Sequence, residues 1–325
     1  MKTELAPQTS SLNRRASPHR PATTSERQLN WLPALSGWLL LTGLWILLLS
    51  HCAGREERIV IGSKNFTEQV ILGELLAQHI ETNTGLAVMR RLNLGGTFIC
   101  HQAIRAGDID LYVEYTGTAL TAILKQQPTS DAAEVYRRVK QEYAEQFQLE
   151  WMQPLGFNNT FAMIVRGEDA RALNIRTISQ AAEHTPRWRA GFGPEFMERA
   201  DGYNGLAKTY GLKFAQPPRI MDLGLMYRAL IERQVDIVAG NSTDGLIASL
   251  DLVVLEDDRH YFPPYEAAPV VRRQTLERHP ALRQALHQLG GCISAEQMRQ
   301  LNYQVDGRQR DVRQVVQEFR QTACR

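Results

Sequence analysis

Between Arg58 and Val113, short β-branched runs alternate with stretches of helical period, and after residue 155 the alternation begins again. Arg58 to Gly62 is an Ile/Val run stopped by Gly, the pattern of a buried strand. Thr67 to Glu81 carries Val70, Ile71, Leu72, Leu75, Leu76 and Ile80 at helical spacing. Leu86 to Leu94 reads as a second strand, Gly95-Gly96-Thr97 opens a helix through Ile104, and Ile109 to Val113 is a third strand. Strand, helix, strand, helix, strand in close succession predicts a parallel sheet built from βαβ units.

In the second half, Phe161 to Arg166 reads as a strand, Ile178 to Glu183 and Gly202 to Tyr210 as helices. Met226 to Arg233 is helical, Val235 to Ala239 a strand, and Val253 to Leu255 a returning strand. From Thr275 onward the pattern is helical, closing with Gln309 to Cys324. No Pro/Gly/Ser-rich linker separates the halves. The expectation is an α/β clamshell with a hinge: residues 55–159 and 260–325 form one lobe, and residues 160–259 the other.

The amino terminus has a different character. Residues 1–30 are rich in Ser, Thr, Pro and Arg without apolar period, which predicts disorder. Trp31 to Ser50 contains no charge and, at ~1.5 Å per residue, is just long enough to cross a bilayer. Lys2, Arg14, Arg15, Arg20 and Arg27 precede it against Glu4 and Glu26, so this end stays cytoplasmic. An uncleaved anchor, a cleaved signal and a lipoprotein signal ending at Cys52 all remain open, although the bulky His51 is unlike a lipobox. Each leaves residues 55–325 outside the cytoplasm, periplasmic or at the inner membrane's outer face.

A net charge of +2 with no basic stripe and no C2H2 spacing gives no reason to invoke nucleic acid. The four cysteines form no CxxC, and Cys100 and His101 are adjacent and point different ways, so no metal is expected. Cys292 and Cys324 either pair or remain thiols. There is no GxSxG, HExxH or Walker A, which argues against an enzyme and against a cofactor.

Eight ordered segments carry more. They are GSKNFTEQVILGEL (62–75), LGGT (94–97), DLYVEYTGTAL (110–120), GFNNTFAMIVR (156–166), GPEFMERADGYNGL (193–206), GLMYRAL (224–230), NSTDG (241–245) and LEDDRHYFPPYEAAPVV (255–271). Together they resemble the glycine betaine/choline/proline-betaine-binding proteins of osmoprotectant ABC importers. The resemblance implies a type II periplasmic-binding-protein fold. It also implies a monomer that takes a quaternary-ammonium solute between its lobes and hands it to an ABC permease and ATPase.

Members of that family close aromatic rings around a trimethylammonium head and hold the carboxylate tail with cationic and polar groups. Carried over, the cage falls on Tyr115, Phe161, Asn241 and Tyr265, and the tail on Lys64, Thr118 and Arg199. A quaternary ammonium has no N–H, so ring faces recognise it, at ~0.5–2 kcal/mol each. A carboxylate suits a guanidinium fork. Phe161 stands where tyrosine is common, and Asn241 replaces a ring by an amide. The latter suits a larger betaine with hydrogen-bonding groups, such as ergothioneine. A membrane-tethered sensor without transport role is the other alternative. Tyr203 and Tyr227, on helices, read as packing residues.

Overall fold

The computed structural model describes residues 58–322. The N-terminal polar segment, the Trp31–Ser50 run, Cys52 and Cys324 lie outside them. β1 (Ile59–Lys64) leads through α1 (Thr67–Thr84) to β2 (Val88–Gly95), and α2 (Thr97–Ala106) returns the chain to β3 (Leu111–Tyr115). β1 is parallel to both neighbours, as a strand–helix–strand rhythm demands. α1 runs three residues beyond its expected end because Gly85, at φ 69°, caps Glu81. It is buried over most of its surface, polar Glu68, Gln69, Glu74 and His79 included, and Leu72, Leu75, Leu76 and Ile80 share one core with Met298, Leu301, Val315 and Val316 from the C-terminal helices.

After α3 (Ala132–Phe147) and β4 (Leu149–Trp151) a second sheet forms. It comprises β5 (Phe161–Arg166), β6 (Ala190–Phe192), β7 (Arg219–Ile220), β8 (Ile237–Asn241) and β9 (Leu252–Leu255), in the order β7-β6-β8-β5-β9. β10 (Ala267–Arg272) then rejoins the first sheet, whose order is β2-β1-β3-β10-β4. It lies antiparallel to β3 and β4. The sequence pattern gives no strand there, since Pro269 argues against a central one, and it leads to a wholly parallel sheet. The orientation has a simple cause: β10 arrives directly from the other sheet, with no crossover helix to reverse it. The α/β class expected from the alternation therefore stands, in two mixed sheets.

The chain passes between the sheets twice, from Trp151 to Phe161 and from Leu255 to Ala267. The two passages pair: Asn158 bridges Glu266, Leu155 N donates to Ala267 O at 2.8 Å, and Asn159 N to Tyr265 O at 3.0 Å. The first is also stitched to the C-terminal region, where Gly291 N donates to Pro154 O and Ile293 N to Leu155 O, both at 2.9 Å. Cys292, between those donors, is disulfide-bonded, whereas Cys100 is a buried free thiol.

Gly156 occupies the tightest point of this passage. Its φ is +115°, and a Cβ there would stand 2.8 Å from the Ile293 carbonyl oxygen. Gly156→Ala is expected to cost ~1–3 kcal/mol through backbone strain. Urea unfolding reads this directly, and an unchanged midpoint would show that the passage yields freely.

Candidate functional site

The strand ends meet at one cavity. Lys64 ends β1, Tyr115 ends β3, Phe161 begins the antiparallel β5, and Asn241 ends β8, so all four side chains arrive at the same edge. Sequence patterning stops the last strand at Ala239, but it continues to Asn241, which pairs with Phe161 across the ladder. A helical turn at Thr116–Thr118 followed by a π-helical turn at Ala119–Ile123 brings Thr118 to the same cavity as Tyr115. Gly117 keeps that turn slim, since a Cβ would lie 2.7 Å from the Tyr265 ring.

All seven residues singled out from sequence line this cavity of about 210 Å³. Phe66, Asn159, Glu195, Phe196 and Asp222 line it as well and were not anticipated. Phe161 lies edge-on to Phe196 at 4.9 Å and to Tyr265 at 6.0 Å between ring centroids. Phe66 stacks against Tyr115 at 6.4 Å. These are the separations at which ring quadrupoles attract.

The two cations of the site are already matched within the protein. Lys64 Nζ donates to Glu114 Oε1 at 2.5 Å, with Nζ 5.1 Å from the Tyr115 centroid. Arg199 turns its fork on Asp201, with Nε to Oδ1 at 2.9 Å and Nη2 to Oδ2 at 2.5 Å. Nη1 donates to Thr118 Oγ1 at 3.1 Å, and the guanidinium sits 4.9 Å from the Phe161 centroid. Asp201 also accepts the Tyr265 hydroxyl at 2.5 Å. Burial alone would raise the Asp201 carboxyl, but the adjacent guanidinium holds it below the usual range.

Glu114 and Asp201 escaped motif reading because neither touches the cavity. A signal did exist for Glu114, a lone charge inside the apolar strand LYVEY.

Asn241 is fixed from behind. Its backbone N donates to Asp244 Oδ2 at 2.8 Å, and Nδ2 lies 3.3 Å from Oδ1 of the same carboxylate. The Tyr227 hydroxyl also donates to Asp244, so Tyr227 packs as its helical position implied and serves as a donor too. Burial pushes the Asp244 carboxyl up to about 6. With Nδ2 turned to a carboxylate, Asn241 keeps its amide oxygen, and one further N–H, as groups to offer. At the rim, α4 (Pro194–Glu198) faces the N-terminus of α2, where Thr97 Oγ1 donates to Glu195 Oε2 at 3.0 Å and the Thr97 N–H donates to Oε1.

Arg199→Ala should destabilise by ~3–5 kcal/mol, because it leaves Asp201 buried without its cation. The Arg199→Ala/Asp201→Ala pair should be less destabilised than Arg199→Ala alone. Thermal unfolding of both variants checks this, and a double variant worse than the single would contradict it.

The family model for the substrate binding domain of ABC-type glycine betaine transport systems matches residues 57–322. A carnitine transport binding protein of Listeria monocytogenes is 37% identical over 298 residues, covering 89% of this chain and 95% of that protein. An ergothioneine transport permease/ergothioneine binding protein of Helicobacter pylori is 35% identical over 282 residues, covering 86% of this chain and 50% of that one. A crystal structure of a glycine betaine/carnitine/choline ABC transporter protein superimposes with a TM-score of 0.68 at 36% identity, covering 81% of this chain and 97% of that one. Sequence, fold and the convergence of aromatic strand ends agree: the chain belongs to the substrate-binding domain family of ABC-type glycine betaine transport systems.

Proposed function

We propose that this protein is a non-catalytic, extracytoplasmic receptor that closes on a small quaternary-ammonium solute and delivers it to an ABC permease and ATPase. In this reading residues 55–159 with 260–325 are one lobe and residues 160–259 the other. The paired passages between them are the hinge. Residues 31–50 would hold the N-terminus at the membrane, as anchor or export signal, and the receptor would act as a monomer.

One observation carries the reading. The rings of Tyr115, Phe161 and Tyr265 converge on a single cavity while both of its cations are satisfied internally. What such a cavity offers a guest is ring faces, and ring faces suit a diffuse cation without hydrogen-bond donors. Lys64, Thr118 and Arg199 supply the polar end. Their closed pairs leave Thr118 and the outer N–H groups of Arg199 to meet a tail, which favours a compact solute such as glycine betaine, choline or carnitine.

Asn241 supports a second reading. Its amide oxygen accepts hydrogen bonds, so a betaine with a ring N–H gains a contact that a methyl shell cannot make. The relative that binds ergothioneine keeps this alternative in play.

Calorimetry against glycine betaine, choline, carnitine, proline betaine and ergothioneine tests both. Tyr115→Ala and Tyr265→Ala should each weaken the bound solute by ~1–2 kcal/mol. Full affinity in both variants would remove the ring cage. Asn241→Tyr should tighten glycine betaine, and should weaken a solute that donates to the amide. A variant that tightens every betaine equally would dismiss the larger ligand.

A further inference from the structure

We propose that Glu68 supplies the counter-charge for the ligand's ammonium head, acting through the hydroxyl of Tyr115; this rests on the quaternary-ammonium reading above. Glu68 lies in the first turn of α1 and is 2% exposed. Its Oε1 accepts the Tyr115 hydroxyl at 2.7 Å and Asn159 Nδ2 at 2.8 Å. Its Oε2 accepts Asn302 Nδ2 at 3.0 Å and the Thr243 hydroxyl. All four donors are neutral, and none of the ion pairs among the described residues includes Glu68; burial pushes its carboxyl up, and the four donated hydrogen bonds, which favour the anion, oppose that.

Asp244, behind Asn241, is likewise held by neutral donors, but other carboxylates of the interior differ. Glu114 has Lys64, Asp201 has Arg199, and Glu74 has Arg90. Glu68 is answered by hydrogen bonds and by the positive end of α1, which together offset part of the cost of an unpaired buried charge. The missing cation can arrive with the guest.

The route is the Tyr115 ring, which lines the cavity and ends at the carboxylate. A phenol donating to a carboxylate gains electron density on its oxygen and ring, which deepens the negative potential of the ring face. Tyr265 makes the same contact with Asp201, but there Arg199 already cancels the charge. Lys64, over the Tyr115 ring, is likewise closed by Glu114. Tyr115 is thus the cavity ring backed by a carboxyl that no cation of the described residues pairs. Glu68 touches no ligand in this arrangement, so it is a positioning and charge-setting residue.

A purely structural role, tying Thr243 and Asn302 to α1, would weaken every guest alike. Charge setting would act on cations alone. The full-length protein and its Glu68→Gln variant should therefore be titrated with choline and with 3,3-dimethyl-1-butanol, its uncharged isostere. The ratio of the two affinities is expected to fall about tenfold in the variant, while the isostere binds within about twofold of its original strength. Equal losses for both, or an unchanged ratio, would overturn the proposal. If the original protein binds neither choline nor glycine betaine, the ligand reading fails first and takes this one with it. Should Glu68→Gln not fold, Tyr115→Phe removes only the connecting hydroxyl. The same ratio must then fall, and its persistence would equally overturn the proposal.

Discussion

A charge inside an aromatic cavity must be answered within hydrogen-bond reach, because the rings around it replace water without replacing its donors and acceptors. Lys64 meets this demand through Glu114, and Arg199 through a two-point contact with Asp201. The magnitudes rank the effects. Breaking a buried pair costs ~3–5 kcal/mol, whereas a single ring contact with a cation is worth ~0.5–2. The ion pairs therefore fix the architecture of the site, and in the proposed reading the rings would do the selecting. Tyr265 shows the coupling most directly, since its hydroxyl ends on the carboxylate that holds Arg199.

The fold supplies the edge on which this happens. Parallel β1 and β3 deliver Lys64 and Tyr115 at their carboxyl ends, and the ladder between β5 and β8 sets Phe161 opposite Asn241. Ligands in α/β sheets characteristically bind at such ends, where helices begin and strands stop. The two passages between the sheets are hydrogen-bonded to each other, and side-chain contacts such as Arg199 to Thr118 and Thr243 to Glu68 join the second sheet's residues to the first's. Glu195 of α4, reaching the N-terminus of α2, adds a contact across the opening that a hinge motion would make and break.

Much of the fold was legible as period. The βαβ rhythm of residues 58–113 and the β-branched strands of the second half lie where pattern places them, because burial of β1, β3, β5 and β8 on both faces selects the same residue types. β10 was not legible, since Ala-Ala-Pro-Val-Val breaks the expected alternation and Pro269 forbids it by rule. The cavity residues were legible as motif, as in the Tyr-Thr-Gly-Thr turn that puts Tyr115 and Thr118 on one wall. Their supports were not. Asp201 and Asp244 stand two and three residues from the Arg199 and Asn241 they hold, whereas Glu68 acts through tertiary contact alone, collecting donors 47, 91, 175 and 234 residues away in sequence. No local pattern encodes such a convergence.

The central claim is that a quaternary-ammonium head sits among the rings while the ion pairs stay closed. The most direct measurement is a crystal structure of the protein grown with choline or glycine betaine. The account expects the ammonium nitrogen within about 6 Å of the Tyr115, Phe161 and Tyr265 centroids, with Arg199 still forked on Asp201. A ligand whose head lies away from the rings, or one that pulls Arg199 off Asp201 to bind its tail, would contradict it.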